Sequence, residues 1–157
     1  MARVRVAGAG NPVRGDDALG LVAVRHLAST RLGPDVSVVE ATTDPLSLWL
    51  ASVGYDYLIL IDAVNGGQPP GTIYVFRPNG CDDLPGRLST RGIDLLSHLK
   101  HAAGIGPDLV VVGMEPAFTG ASTELSERVR QRIPDLVNRV VEVVRKVVGD
   151  DGDKGRL

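Results

Sequence analysis

Alternation opens the chain. In ARVRVAG (2–8), Val4 and Val6 alternate with Arg3 and Arg5, the period of two that marks a strand. A glycine-rich loop follows. Leu21, Val24 and Ala28 then recur at helical spacing, which predicts a helix over 17–31 with Asp16 at its N-cap. DVSVVEA (35–41) reads as a second strand. DPLSLWLASVG (44–54) predicts a short helix, with Asp44 as cap, Pro45 in the first helical position and Gly54 as stop. DYLILIDAV (56–64) is an unbroken apolar run, the signature of a strand covered on both faces.

The second half repeats the alternation of types. NGGQPPG (65–71) is turn chemistry, too short for a crossover helix. GTIYVFR (71–77) is therefore expected to pair antiparallel with the third strand. After a loop at 78–86, Leu95, Leu96, Leu99 and Ala103 share one side of a helix predicted over 89–104. DLVVVGMEP (108–116) is a further apolar strand. From Ala121 onward Leu125, Val129, Ile133, Val137, Val140, Val144 and Val148 mark a long terminal helix, which Pro134 is expected to kink or split. The fold class is α/β: one doubly wound, mostly parallel sheet with a single antiparallel edge strand and helices on both faces. Residues 1–149 read as one domain and 150–157 as a frayed tail.

Composition narrows the function. Hydrophobic residues are 43% of the chain and aromatics 4%, so the core is aliphatic and offers no platform for stacking bases. The net charge of −2 comes from 17 basic and 19 acidic residues without a basic patch, which argues against nucleic acid as a partner. Cys81 is the single cysteine, so no intrachain disulfide can form. With no apolar segment long enough for a signal or a span, the expectation is a cytoplasmic, membrane-free protein, with a monomer favoured.

The candidate chemistry begins in GAGNPVRGDDALG (8–20), which has the outline of a nucleotide-binding loop. Gly8 and Gly10 are present, but Val13 stands where the dinucleotide fingerprint needs its third glycine, and no Gly-Lys-Ser/Thr follows. Glu40, ending the second strand, would sit where a ribose-binding acid belongs. Asp16 and Asp17 decide against phosphate. Like charges about 4 Å apart repel by roughly 4 kcal/mol at an effective dielectric of 20. The two acids either cap a helix or form part of a cation site. Asp62, ending the buried third strand, would reach the same crevice if the first and third strands are neighbours. Two carboxylates at one crevice call for a metal ion, a shared proton or a basic substrate group between them.

These residues together resemble the hydrogenase maturation endopeptidases. GAGNPVRGDDALG is similar to that family's opening motif, LILIDAV with PGTIYVF to its second block, and VVVGMEP with Gly120 and LSERV to its third. The resemblance implies an endopeptidase that removes the C-terminal peptide from a nickel-loaded hydrogenase large-subunit precursor. It implies that Asp17 and Asp62 face nickel brought in by the substrate, with no tightly bound cofactor. The family's third metal-facing group is a histidine in Ser-x-His at the start of a later helix. Here STR (89–91) puts Arg91 in that place, and a guanidinium has no lone pair for a metal. His98, roughly 10 Å further along such a helix, is too distant to substitute. It reads with His101 and His26 as a solvated helix face. Arg91 could instead hold a substrate carboxylate or a developing oxyanion. Cys81, beside Asp82 and Asp83, is discouraged from forming a thiolate, which leaves water as the nucleophile. Catalytic candidates are thus Asp17, Asp62 and Arg91. The alternatives are a precursor-binding chaperone that has lost cleavage, and a nucleotide-binding α/β protein.

Overall fold

A computed structural model describes residues 2–41, 45–78 and 106–149. The helix predicted over 89–104, with Arg91, His98 and His101, lies outside the described residues. So do Cys81 and the tail at 150–157. Strands β1 (Val4–Ala9), β2 (Val36–Ala41), β3 (Tyr57–Ala63), β4 (Ile73–Phe76) and β5 (Asp108–Met114) form one sheet in the order β2-β1-β3-β5-β4. The β1–β2, β1–β3 and β3–β5 pairs are parallel, and β4 runs antiparallel to β5 at the edge. The expected class of sheet is therefore found.

Strand parity sorts side chains onto two faces. Val4, Val6, Ile59, Ile61, Val110 and Val112 point to the side covered by α1 (Leu19–Leu27) and α3 (Glu127–Gly149). Ala7, Leu58, Leu60, Leu109 and Val111 point to the side where Leu48 and Trp49 of α2 (Pro45–Ala51) pack. All seven residues of β3 are buried, as its unbroken apolar run requires.

Three details differ from the sequence-based expectation. The first helix begins later: Gly15–Ala18 forms a 3-10 turn, and α1 spans Leu19–Leu27 rather than 17–31. β4 does not pair with β3. Both edges of β3 are taken, by β1 and β5, so the chain after β3 passes the end of β5 and adds β4 beyond it. Val64 N–H donates to Met114 O, and Gly71 N–H to Glu115 O, along that path. The terminal helix starts at Glu127 instead of near 121 and runs unbroken through Pro134. The pyrrolidine removes one backbone hydrogen bond. The buried stripe of Val129, Ile133, Leu136, Val140, Val143, Val144 and Val147 on either side of it holds the helix against the sheet.

Candidate active site

β1 leads to β2 on one side and β3 neighbours β5 on the other. The carboxyl ends of β1 and β3 thus form the switch point of the doubly wound sheet, where ligands bind in such folds. Two glycines close the chain over it. Gly10 has φ +148°, and a Cβ there would collide with the Asp17 carbonyl oxygen. A Cβ on Gly20 would overlap the carbonyl oxygens of Ile61 and Ala9. The 3-10 turn carrying Asp17 is therefore seated on Gly10, the residue after β1, and the start of α1 rests on the ends of β1 and β3. Asp62 is one step beyond the Ile61–Gly8 pairing, at the same level. The backbones of Asp17 and Asp62 converge on one crevice, as a flavodoxin-like strand order predicts.

The two acids meet different surroundings. Asp62 is 2% exposed. It shares parity with Leu58 and Leu60, so it belongs to the α2 side of the sheet. Its Oδ1 accepts the Ala63 N–H at 2.8 Å. Asp17 is half-buried, and its Oδ2 accepts the Asn11 N–H at 3.1 Å. Asn11 Oδ1 accepts from Val13 N–H in turn, so the opening loop is braced against the acid it presents.

Asp16 does something the sequence did not indicate. It makes no cap for its own turn or for α1. It is fully buried and accepts four hydrogen bonds: Ala117 N–H at 2.8 Å and Phe118 N–H at 2.9 Å, then Ser126 N–H and Ser126 Oγ–H at 2.7 Å each. One carboxylate thus ties the opening loop to the loop after β5 and to the N-terminus of α3. The helix it serves is the last one, not the first. Of the adjacent pair, one acid is consumed in clamping distant loops together and the other stays half-buried against its own loop.

Glu115 directly follows β5. It is 7% exposed, and its Oε1 accepts from Gly66 N–H, Gln68 N–H and the Tyr74 hydroxyl at 2.8, 3.1 and 2.7 Å. It fixes the loop that leaves Asp62. Its position directly after a buried strand is the one signal that could have marked it. Gly113 pairs with Asp62 on one side and Tyr74 on the other, so Asp62, Gly113 and Tyr74 lie in one row across the sheet. Desolvation first, then the bond to the Glu115 carboxylate, pushes the Tyr74 phenol up to about 12. The fold holds the neutral phenol. The unfolded chain loses this proton near 10, so stability falls as pH rises from about 10 to 12. In urea titrations at about pH 9 and pH 11.5, Tyr74→Phe is expected to lose less stability than the natural protein across that interval. Equal losses would refute the assignment.

Glu40 pairs with Arg25 at 2.8 Å across an exposed surface and takes no part in the crevice. His26 is exposed on α1, a solvated position as expected. Among the described residues no group of three or more His, Cys, Asp and Glu side chains could hold a metal ion. Also among them, no helix is long and apolar enough to cross a membrane.

A family model described as "Hydrogenase maturation protease" matches residues 22–143. The hydrogenase 2 maturation protease of Escherichia coli K12 is 26% identical over 153 residues, covering 92% of each chain. Among solved structures, a [NiFe] hydrogenase maturation protease from Thermococcus kodakarensis KOD1 superposes with a TM-score of 0.74 at 28% identity, over 92% of this chain and 93% of that one. The hydrogenase maturating endopeptidase of Escherichia coli gives a TM-score of 0.77 at 24% identity over the same shares, and supports the fold.

Proposed function

The chain belongs to the hydrogenase maturation protease family, and from that premise we propose that it is a cytoplasmic, monomeric endopeptidase that trims the C-terminal peptide from a nickel-loaded hydrogenase large-subunit precursor. The observation that carries the reading is the seating of the Asp17 turn and the end of β3 on one switch-point crevice. Nickel enters as part of the substrate. Carboxylate oxygens from Asp17 and Asp62 suit a divalent ion, and two protein donors leave positions for ligands from the precursor. A water molecule attacks the scissile carbonyl, and Asp17 or Asp62 takes its proton. Arg91 donates to the oxyanion as it forms. Asp62, nine-tenths buried, supplies the low-dielectric side of the crevice, where a charge acts with little screening.

The replacement of the family's histidine by Arg91 favours a second reading, a binder that holds the precursor without cutting it. Mass spectrometry separates the two. Nickel-loaded precursor incubated with the protein is expected to lose the mass of its C-terminal peptide, and nickel-free precursor to stay intact. A precursor that binds and is never shortened would establish the chaperone instead. Equal trimming with and without nickel would remove the metal from recognition while leaving the peptidase.

A further inference from the structure

A polar groove of about 440 Å³ lies between the loop entering β4 and the first turns of α3. Pro69, Pro70 and Gly71 form one wall, and Arg128 and Arg132 the other. The two arginines are four residues apart, hence neighbours on one helix face. Each is anchored through Nε, Arg128 to Pro70 O at 3.4 Å and Arg132 to Gly71 O at 3.2 Å. Successive carbonyls of a proline-stiffened turn thus orient both guanidinium groups. One Nη of Arg132 reaches Asp135 at 2.8 Å, while no ion pair joins Arg128 to another described residue. The other acids nearby are engaged elsewhere: Glu127 with Arg130 and Gln131, and Glu115 with the loop after β3. The groove therefore keeps an excess of positive charge, with oriented donors suited to a carboxylate.

Its position relates it to the crevice. Glu115 N–H donates to Thr72 O and Gly71 N–H to Glu115 O, so the rim of the groove is bound to the residue that follows β5. Asp62 pairs with Gly113 on β5. Asp62 lies on the α2 face of the sheet and the groove against α3 on the other, so a tail seated in the groove reaches Asp62 by crossing the carboxyl edge of β5.

We propose that this groove binds a carboxylate of the precursor's C-terminal tail and so sets where the tail lies relative to Asp62. The proposal rests on the peptidase reading. The carboxylate is either the chain terminus or an acidic side chain of the tail.

The test measures affinity for a synthetic tail peptide by fluorescence anisotropy, alongside cleavage kinetics on the precursor. Arg128→Ala and Arg132→Ala are each expected to weaken tail binding by about five- to tenfold, the scale of one partly exposed charge-assisted hydrogen bond. They should raise KM by the same factor and leave kcat within about twofold. Amidating the tail's terminus, or replacing its acidic side chains by amides, identifies the source: the matching change weakens binding to the natural protein and has no further effect in the double variant. Equal affinity of the natural protein and the double variant for the tail, or no binding by either, overturns the proposal. Failure of the peptidase reading looks different: the tail binds in an arginine-dependent way and the precursor is never cut.

Discussion

Asp17→Asn and Asp62→Asn are each expected to slow precursor cleavage by about 10²–10⁴-fold, the usual contribution of a positioned general base or acid. Asparagine is the informative replacement. Its carbonyl oxygen can still accept the Asn11 N–H at position 17 and the Ala63 N–H at position 62, so the local bonds survive. What disappears is the negative charge and the capacity to take a proton. Both variants are expected to keep these two bonds while losing activity. Initial rates by mass spectrometry, with urea midpoints as control, decide the matter. Cleavage at the natural rate in both variants would take the acids out of the mechanism. Loss in one only would assign the proton transfer to that residue and take the other out of the mechanism.

The second large effect falls on the neighbouring acid and on stability. Asp16→Ala leaves the backbone N–H groups of Ala117, Phe118 and Ser126 and the Ser126 hydroxyl without their acceptor. Bonds to a charged acceptor contribute about 1.5–3 kcal/mol each, and a stranded buried donor costs about 1–3 kcal/mol. The four share one carboxylate and are not additive. A net loss of about 3–5 kcal/mol follows, a large part of the 5–15 kcal/mol that holds a typical domain. At about 2–4 °C per kcal/mol for a chain of this size, the melting temperature should fall by about 6–20 °C. Asp16→Asn should lie between, because its amide turns one donor toward donors. A loss under about 1 kcal/mol for Asp16→Ala would mean that the clamp is replaced by water at little cost. The contrast with Asp17 is the useful part. Adjacent residues of one type are expected to separate completely, one reporting in stability and the other in turnover.

Much of the candidate site was legible in the chain. The loop with Gly8 and Gly10 leads off a strand, two adjacent acids follow it, and Asp62 closes an apolar run. These are local statements about charge and burial, and β3 is buried along its whole length as its composition demands. What escaped were the partners of polar groups. Asp16 reaches residues more than 100 positions away, and nothing in GDDALG reveals that. Glu115 likewise finds its donors on a loop nearly 50 residues earlier.

The sequence by itself determined the class of fold, the alternation of strands and helices, the aliphatic core and the location of two acids at strand ends. Each of these follows from the period and identity of nearby residues. Tertiary structure alone decided that β4 joins β5, that α3 runs straight through Pro134, and that one acid of the pair is a buried clamp while its neighbour stays half-buried. Those outcomes depend on which strand edge is vacant, on how much apolar surface a helix buries, and on which distant donors surround a carboxylate. Such properties arise only when remote segments meet.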